Sequence, residues 1–208
     1  MPLAGRPMIE WSLDALRASA PVRAIVVAAP PGYAHGLESG DGGEAGDRDG
    51  VELRVVDGGA SRSQSVANAL AAVETELVAI HDAARPLLTP ALVEALVARL
   101  EATPEAAAAI AATPLTDTVK EVDDDRVIGR TLDRSRLWAA QTPQLFRTAA
   151  LRAALAAAPR PEAATDEAML VEAAGGRVLV HPAGTDNLKV TTPVDLRLAE
   201  LLLASRSQ

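Results

Sequence analysis

The chain has 208 residues, no cysteine and a formal net charge of −8 at pH 7. This length favours a single domain, and a hydrophobic content of 49% is enough for a buried core, which excludes a disordered chain. The negative charge argues against a nucleic-acid duplex or an anionic membrane as partner, and the absence of cysteine excludes disulfides and thiolate metal sites. No stretch resembles a signal peptide or a membrane span, so we expect a cytoplasmic protein.

Short apolar runs and apolar residues at helical spacing alternate along the chain. The spacing predicts a helix from Pro7 onward, because Ile9, Leu13 and Leu16 fall on one face. The Gly-rich residues 36–50 are expected to form a mobile loop. By the same reasoning we expect strands at residues 22–29, 51–56, 77–80 and 106–112, and helices near residues 66–73 and 92–100. Strands that alternate with helices predict a doubly wound, Rossmann-like α/β fold with a mostly parallel sheet.

One segment, residues 118–138, departs from this alternation. Two strand-like pieces flank a charged turn of Asp123, Asp124, Asp125 and Arg126, which predicts a protruding β-hairpin arm. A two-stranded hairpin buries little surface by itself. The arm therefore belongs either to a domain of its own or against a second subunit.

The C-terminal part of the chain contains three further predicted elements. Thr165 is the predicted N-cap of a helix that ends at Gly175. Residues 186–191 predict a short strand. The last helix follows Thr192, and Asp195 three residues later completes a capping signature at its start.

Polar residues that follow the predicted strands are the candidates for chemistry, because ligands of doubly wound sheets bind beyond the carboxyl ends of the strands. After the strand at 51–56, Gly58 and Gly59 either allow a ligand to approach the backbone or form an ordinary strand-to-helix turn. Asp82 and Arg85, which follow the next strand, suit a metal ion and a phosphate respectively, or they form a surface ion pair.

Three further candidates also have ordinary explanations. His81 has no metal-ligand partner at a useful spacing, so we interpret it as a structural residue at a strand end. Thr142 and Pro143 indicate a turn or the start of a helix. Lys189 is either a solvated charge at a sheet edge or the ligand of an anion.

Several runs of residues gain specificity from their order along the chain. They are LAGRP at residues 3–7, Gly58-Gly59 with Arg62 and Ser65-Val66, HDAARP at 81–86, DTVK at 117–120, Arg134 with Leu137-Trp138, QTPQ at 141–144, TDE at 165–167 and DNLKVT at 186–191. Together they resemble the 2-C-methyl-D-erythritol 4-phosphate cytidylyltransferase family, and the resemblance spans essentially the whole chain. It implies one nucleotidyltransferase domain, residues 1–208, with the arm at about 117–138.

The resemblance implies transfer of a cytidylyl group from CTP to 2-C-methyl-D-erythritol 4-phosphate, with release of pyrophosphate, in isoprenoid precursor synthesis. It implies Mg²⁺ as the metal ion, CTP and a polyol phosphate as ligands, and a homodimer joined through the arm, with no nucleic-acid or membrane partner. The implied roles are catalysis for Lys189, Asp82 and Arg134, with Asp82 also at the metal; CTP binding for Gly58, Gly59, Ser65 and Ala83; and acceptor binding for Arg85, Thr118, Arg134, Thr142 and Thr165. Thr118 and Arg134 are expected to serve the partner's site.

The front of the chain departs from the family pattern. The family has a strand, a Gly-rich loop with an arginine, and a lysine before the LAGRP run, whereas here Met1 directly precedes Pro2. We expect a start codon assigned too late rather than a true fragment, and we expect the 208-residue form to be inactive and poorly stable. Two other functions stay open: a related cytidylyltransferase that acts on a pentitol phosphate, and an inactive dimeric module that binds nucleotide weakly or not at all.

Overall fold

The computed structural model describes residues 1–31 and 50–206, so the loop predicted at residues 36–50 lies outside the described residues except for Gly50. The described α-helices are α1 (Met8–Arg17), α2 (Arg62–Ala71), α3 (Pro90–Glu101), α4 (Thr148–Ala157), α5 (Glu167–Ala173) and α6 (Pro193–Arg206). The strands are β1 (Pro2–Leu3), β2 (Arg6–Pro7), β3 (Ala24–Ala29), β4 (Glu52–Asp57), β5 (Leu77–Ile80), β6 (Ala108–Pro114), β7 (Lys120–Val122), β8 (Ile128–Thr131), β9 (Trp138–Arg147) and β10 (Val178–Pro182).

Four strands form the larger sheet, in the order β10-β6-β9-β5. β10 is parallel to β6, and β9 runs antiparallel to both β6 and β5. Strands β5, β6 and β10 therefore share one direction, and their carboxyl ends lie at one edge of the sheet. β3 and β4 form a second, parallel pair. The predicted Rossmann-like α/β fold is confirmed, and its larger sheet is mixed, because β9 is a reversed strand that the sequence pattern did not predict.

Helices cover both faces of the larger sheet. On one face, Leu96 and Leu100 of α3 pack with Leu145 of β9. On the other face, Phe146 of β9 packs with Leu151 of α4. Neighbouring residues of a strand point to opposite faces, which explains why Leu145 and Phe146 serve different cores. Among residues 1–31 and 50–206, no helix has both the length and the apolar character needed to cross a membrane.

Strands β3 and β5 each have one edge that pairs with no strand among the described residues. Helix α2 contacts β3, and its Leu70 packs with Val78 and Ile80 of β5. The same helix therefore contacts both strands. Val78 and Ile80 are only half-buried, although both are apolar strand residues.

The prediction of a turn or a helix start at Thr142-Pro143 is wrong, because both residues lie inside β9. Ile110 of β6 pairs with Gln144, but Ala112 pairs with Ala140, so three residues of β9 face one residue of β6. This is a β-bulge, and proline is tolerated there because a bulge leaves ladder hydrogen bonds unmade. The Thr142–Pro143 peptide bond is cis. The bulge lies near the carboxyl end of β5.

The predicted hairpin arm is confirmed, since β7 and β8 pair antiparallel on either side of the charged turn. The turn is closed by a hydrogen bond from the Arg126 N–H to the Asp123 carbonyl oxygen over 3.0 Å. Apolar side chains project from it into solvent, with Val127 exposed by 61% and Ile128 by 57%. An exposed apolar hairpin of this kind suits contact with another protein surface.

Two predictions for the C-terminal part are wrong and one is confirmed. Asp166, not Thr165, caps α5, since the Asp166 side chain accepts a hydrogen bond from the Met169 N–H. Residues 186–191 form no strand and instead make a loop, whereas β10 lies earlier in the chain. The capping signature of α6 is confirmed: the Thr192 N–H donates to Asp195 Oδ2 over 2.8 Å, and the Asp195 N–H donates to Thr192 Oγ1 over 3.2 Å.

Candidate active site

Asp82 lies just after β5, at the carboxyl edge of the larger sheet, and three cationic side chains surround its carboxylate. Lys189 Nζ is 2.9 Å from Oδ2, and Arg85 Nε is 4.0 Å from the same oxygen. Arg62 Nη2 is 3.7 Å from Oδ1. The four side chains together carry more positive than negative charge. The site therefore suits a ligand with phosphate groups.

The surrounding charges keep Asp82 ionised. Burial alone would raise the pKa of its carboxyl, but the hydrogen bond and charge of Lys189, and then the charges of Arg62 and Arg85, hold that pKa below its ordinary value. Burial lowers the pKa of the Arg85 guanidinium, and the charge of Asp82 opposes this shift. Asp82 is thus a carboxylate at neutral pH, the form that binds a cation.

Asp82 is also fixed through its backbone, because its N–H donates to Thr142 Oγ1 over 3.0 Å. Thr142 Oγ1 lies 3.2 Å from His81 Nδ1, and His81 Nε2 lies 3.1 Å from the carbonyl oxygen of Arg85. A carbonyl oxygen only accepts, so Nε2 carries the hydrogen and Nδ1 accepts from the threonine hydroxyl. Burial lowers the pKa of His81 to about 4, which keeps the ring neutral. These contacts support the interpretation of His81 as a structural residue.

Lys189 stands on the loop that replaces the predicted strand, and Asn187 anchors that loop. Asn187 is buried, and its amide donates to Gln141 Oε1 over 2.8 Å and to the carbonyl oxygen of Thr142 over 2.9 Å. Arg85 Nη1 donates to the carbonyl oxygen of Asn187 over 2.8 Å. The bulge of β9 thus holds the lysine loop and the run after β5 in one hydrogen-bond network.

The glycines predicted to bind nucleotide lie where β4 leads into α2. Gly59 has no room for a side chain, since a Cβ there would lie 2.1 Å from Cγ of Gln64. The Gly59 N–H donates to Ser65 Oγ over 3.0 Å, and Ser65 Oγ donates to the carbonyl oxygen of Ser61 over 2.9 Å. The Gly58 N–H bonds to the end of β3. Gly58, Gly59 and Ser65 therefore form one tight turn at the start of α2.

A second carboxylate stands behind Arg62. Arg62 Nη1 is 2.6 Å from Glu167 Oε1, and the Glu167 side chain is only 1% exposed. Burial raises the pKa of Glu167 above its ordinary value, and the charge and hydrogen bond of Arg62 oppose this shift. Next to it, Asp166 Oδ2 accepts from Gln144 Nε2 over 2.8 Å. The N-terminal end of α5 therefore contacts both α2 and β9.

The structure brings only some of the predicted site residues together. Asp82, Arg85, Thr142 and Lys189 share one network, and Ala83 is an exposed residue of the same run. Thr118, Arg134 and Thr165 are exposed. Arg134 Nη1 donates to the carbonyl oxygen of Thr116, near the base of the arm. None of the hydrogen bonds or ion pairs found among the described residues links Thr118, Arg134 or Thr165 to Asp82.

Comparison with known proteins decides the family. The family model described as IspD, 2-C-methyl-D-erythritol 4-phosphate cytidylyltransferase, matches residues 1–205. The chain belongs to the 2-C-methyl-D-erythritol 4-phosphate cytidylyltransferase family. A relative of that name from Parasynechococcus marenigrum (strain WH8102) is 41% identical over 220 residues, which cover 100% of this chain and 90% of the relative.

Two further relatives of the cytidylyltransferase family extend this similarity. One, from Frankia casuarinae, is 46% identical over 204 residues, which cover 97% of this chain and 72% of the relative. The other is the crystal structure of the cytidylyltransferase from Thermus thermophilus. It matches with a TM-score of 0.76 and 36% identity, and covers 98% of this chain and 92% of that one. The resemblance found in the sequence, and the nucleotidyltransferase class it implied, are therefore confirmed.

Four residues of this cytidylyltransferase fold were given no role from sequence, although each lies in one of the runs that carry the resemblance: Arg62, Gln141, Glu167 and Asn187. Gln141, Glu167 and Asn187 are buried polar residues, and Arg62 holds Glu167. Their place within these runs was visible in the sequence. Their burial was not, because burial depends on which segments pack over them.

Proposed function

We propose that this chain transfers the cytidylyl group of CTP to the phosphate of 2-C-methyl-D-erythritol 4-phosphate, releasing pyrophosphate, in isoprenoid precursor synthesis. One observation carries the proposal. The Asp82 carboxylate lies among Arg62, Arg85 and Lys189, at the carboxyl edge of a sheet in a chain of the cytidylyltransferase family. Two polyanionic substrates must meet in this reaction, and fixed cations at the meeting point offset their repulsion.

The chemistry requires alignment and charge neutralisation rather than a general base. An oxygen of the acceptor phosphate forms a bond to the α-phosphorus of CTP, and the bond from that phosphorus to the bridging oxygen of pyrophosphate breaks. The attacking oxygen is already an anion at neutral pH, so no proton has to be removed. Lys189, whose side chain is 45% exposed, is the cation that we assign to the charge that builds up on the reacting phosphate.

We assign nucleotide binding to the turn at the start of α2 and to the run after β5. Gly58 and Gly59 let the base approach the backbone, and Ser65 holds the turn in shape through its two hydrogen bonds. Ala83 is an exposed residue of the run after β5. A larger side chain at Gly59 would collide with Gln64, so the close approach depends on the glycine.

Acceptor binding is assigned to Arg85, Thr142 and Thr165 of the same subunit. Arg85 offers a half-buried guanidinium for the acceptor phosphate. The Thr142 hydroxyl already bonds to the Asp82 N–H and to His81, so we propose that it contributes mainly by fixing Asp82.

The donor set around Asp82 fits a magnesium ion. The described residues contain no group of three or more His, Cys, Asp or Glu side chains that could enclose a metal, so Asp82 would act as a single protein ligand. Mg²⁺ often binds in this way, through one or two carboxylates together with substrate phosphates. When bound, the ion supplies positive charge at the phosphates of CTP. Asp82, ionised and near the other cations, is the residue that we propose to hold it.

We further propose a cytoplasmic homodimer of single-domain subunits, joined through the arm. The apolar side chains of the arm are exposed, and so are Thr118 and Arg134, which make no hydrogen bond or ion pair with Asp82 in the described part of the chain. In a symmetric dimer whose subunits exchange their arms, each arm would bring both residues to the partner's site.

A pyrophosphate-release assay tests the proposed function. The protein extended by the N-terminal segment expected above should turn over CTP with 2-C-methyl-D-erythritol 4-phosphate in the presence of Mg²⁺, and should turn over ribitol 5-phosphate poorly. The 208-residue form, expected to be inactive, is assayed beside it. Asp82→Asn should abolish most of that activity, because it removes the charge of the only carboxylate in the cluster of Asp82, Arg62, Arg85 and Lys189. Turnover of ribitol phosphate alone would move the assignment to a pentitol-phosphate cytidylyltransferase, and no turnover with either acceptor would contradict it.

A further inference from the structure

The pair of Arg62 and Glu167 joins two helices that flank the proposed site. Each is the first residue of its helix, Arg62 of α2 and Glu167 of α5. Arg62 Nη1 and Glu167 Oε1 are 2.6 Å apart. Helix α2 follows the turn assigned to CTP, and helix α5 follows Thr165, which is assigned to the acceptor. The pair therefore connects the nucleotide side of the site to the acceptor side.

Burying the Glu167 carboxylate costs desolvation free energy, which argues against a purely stabilising role. Its side chain is 1% exposed, and its Oε2 has no hydrogen-bond partner among the residues that the structure describes. Burial raises the pKa of Glu167, which means that its ionised form is less favourable at this position than it would be in water. A buried ion pair of this kind commonly contributes little net stability, since desolvation offsets the attraction. The role of the Arg62–Glu167 pair is therefore better explained by its geometry than by a contribution to folding stability.

Arg62 and Lys189 approach different oxygens of the Asp82 carboxylate. Arg62 Nη2 faces Oδ1 at 3.7 Å, whereas Lys189 Nζ bonds to Oδ2 at 2.9 Å. Glu167 binds the other terminal nitrogen of Arg62, Nη1. The guanidinium therefore directs one nitrogen to Glu167 and the other to Asp82. A guanidinium held in this way cannot swing freely to Oδ2.

We propose that Glu167 is a positioning residue for the reaction, which acts by holding Arg62 against Oδ1 of Asp82 and so orients the carboxylate. In the described residues Lys189 forms an ion pair with Asp82 alone, whereas Arg62 also pairs with Glu167, so Lys189 is the partner that is free to turn to a substrate phosphate. When Lys189 turns to a substrate phosphate, Arg62 keeps the Asp82 carboxylate in place. This inference rests on the role of Asp82 in the proposed function.

The test compares Glu167→Gln, which keeps the shape but removes the charge, with Glu167→Asp, which keeps the charge. Removing a residue that orients a metal ligand typically weakens metal binding or activity about 10- to 100-fold. We therefore expect Glu167→Gln to lower kcat by that factor and to weaken Mn²⁺ binding to the CTP complex, measured by electron paramagnetic resonance. Glu167→Asp should recover part of both. Melting temperatures, measured in parallel, separate these effects from unfolding.

Glu105→Gln is the matched control, because it breaks an exposed ion pair, Glu105 with Arg177, at the opposite end of the strands. It should change neither kcat nor Mn²⁺ binding. Arg62→Ala should reproduce the loss, and adding Glu167→Gln to it should cost little more, because the two residues act as a unit. Additive losses would overturn the inference, since Glu167 would then act without Arg62.

Two further outcomes distinguish this inference from the proposed function. If Asp82→Asn retains full activity, the proposed role of Asp82 fails, and the inference fails with it. If Asp82→Asn is inactive but Glu167→Gln keeps kcat and Mn²⁺ binding within twofold of the unchanged protein, only the inference is overturned. A drop in melting temperature with no change in kcat or Mn²⁺ binding would likewise assign Glu167 a structural role alone.

Discussion

At the scale of single residues, the negative charge of the Asp82 carboxylate is already offset by neighbouring cations before any substrate binds. Lys189 forms an ion pair with Asp82 over 2.9 Å, and Arg62 and Arg85 lie within 4.0 Å of the same carboxylate. An incoming phosphate must therefore compete with Asp82 for these cations. A divalent cation held by Asp82 would offset that competition by supplying positive charge to the carboxylate, and Lys189 would then be available to the phosphate.

The first prediction concerns Lys189. Lys189→Ala should lower kcat about 100- to 1,000-fold, or about 3–4 kcal/mol, because it removes one preorganised charge from the reacting phosphate. The free energy of unfolding should change by less than about 1 kcal/mol, because the ion pair with Asp82 is partly solvated. Steady-state kinetics and urea unfolding measure the two quantities. Lys189→Arg, which keeps the charge, should lose less activity, and activity within twofold for Lys189→Ala would contradict the assignment.

At the scale of elements, the starts of two helices, α2 and α5, and the bulge of β9 build the site. Helix α2 begins after the Gly58-Gly59 turn, and helix α5 begins with the Asp166 cap beside Glu167. The bulge turns Thr142 toward Asp82. Rigid elements thus deliver short polar segments to the carboxyl edge of the sheet.

The second prediction concerns the cap of α6, the helix that follows the lysine loop. The Asp195 carboxylate accepts from the N–H groups of Thr191 and Thr192 and from the Thr191 hydroxyl, and these bonds lower its pKa to about 2 from 3.8. A lowered folded-state pKa means that the carboxylate stabilises the fold above about pH 4 and that this contribution is lost as the pH falls toward 2.

Asp195→Asn should therefore lower stability at neutral pH, and the difference from the unchanged protein should shrink below about pH 4. Urea unfolding at several pH values measures this difference. Asp124→Asn, in the turn of the arm, controls for the loss of one carboxylate from the chain. A difference between Asp195→Asn and the unchanged protein that stays constant from pH 7 to pH 3 would show that the ionised carboxylate is not what stabilises the cap.

At the scale of the whole molecule, the described surface has two features that the single subunit does not satisfy. The arm exposes apolar side chains, among them Val127 and Ile128. Strands β3 and β5 each have an edge without a strand partner in residues 1–31 and 50–206. For the arm, we propose contact with a second subunit.

The third prediction tests whether the two subunits share sites. Arg134→Ala and Lys189→Ala homodimers should each have little activity. If Arg134 serves the partner's site, a heterodimer of the two variants has one site with both changes and one site with neither. Each heterodimer should then recover up to about half of the unchanged activity, because one of its two sites is intact.

Co-purification with two different tags isolates the heterodimers, and sedimentation confirms their mass. A double variant with both changes in one subunit, mixed with the unchanged protein, is the matched control for subunit exchange. Heterodimers that form but recover no activity would show that Arg134 acts in its own subunit. A monomer at micromolar concentration would contradict the dimer itself.

The sequence by itself determined the family, the alternation of strands and helices, the hairpin arm and the capping box of α6. Each of these depends on local spacing: a period of two or 3.6, a charged turn, or polar residues three positions apart. It also placed Asp82, Arg85 and Lys189 among the candidates, because polar residues just beyond strand ends meet at one edge of a sheet. The structure brings these three together.

Only the tertiary structure decided that β9 is a central, reversed strand, that residues 186–191 form a loop, and that Asp166 rather than Thr165 caps α5. In isolation, Thr142-Pro143 indicates a turn. It lies within a strand because β6 pairs with the residues before and after it, and β5 pairs with those after it. Glu167 is an ordinary helix-start residue in the sequence, and it becomes a buried partner of Arg62 through contacts across 105 positions. Local periodicity cannot encode such long-range pairings, since they depend on which segments pack over each residue.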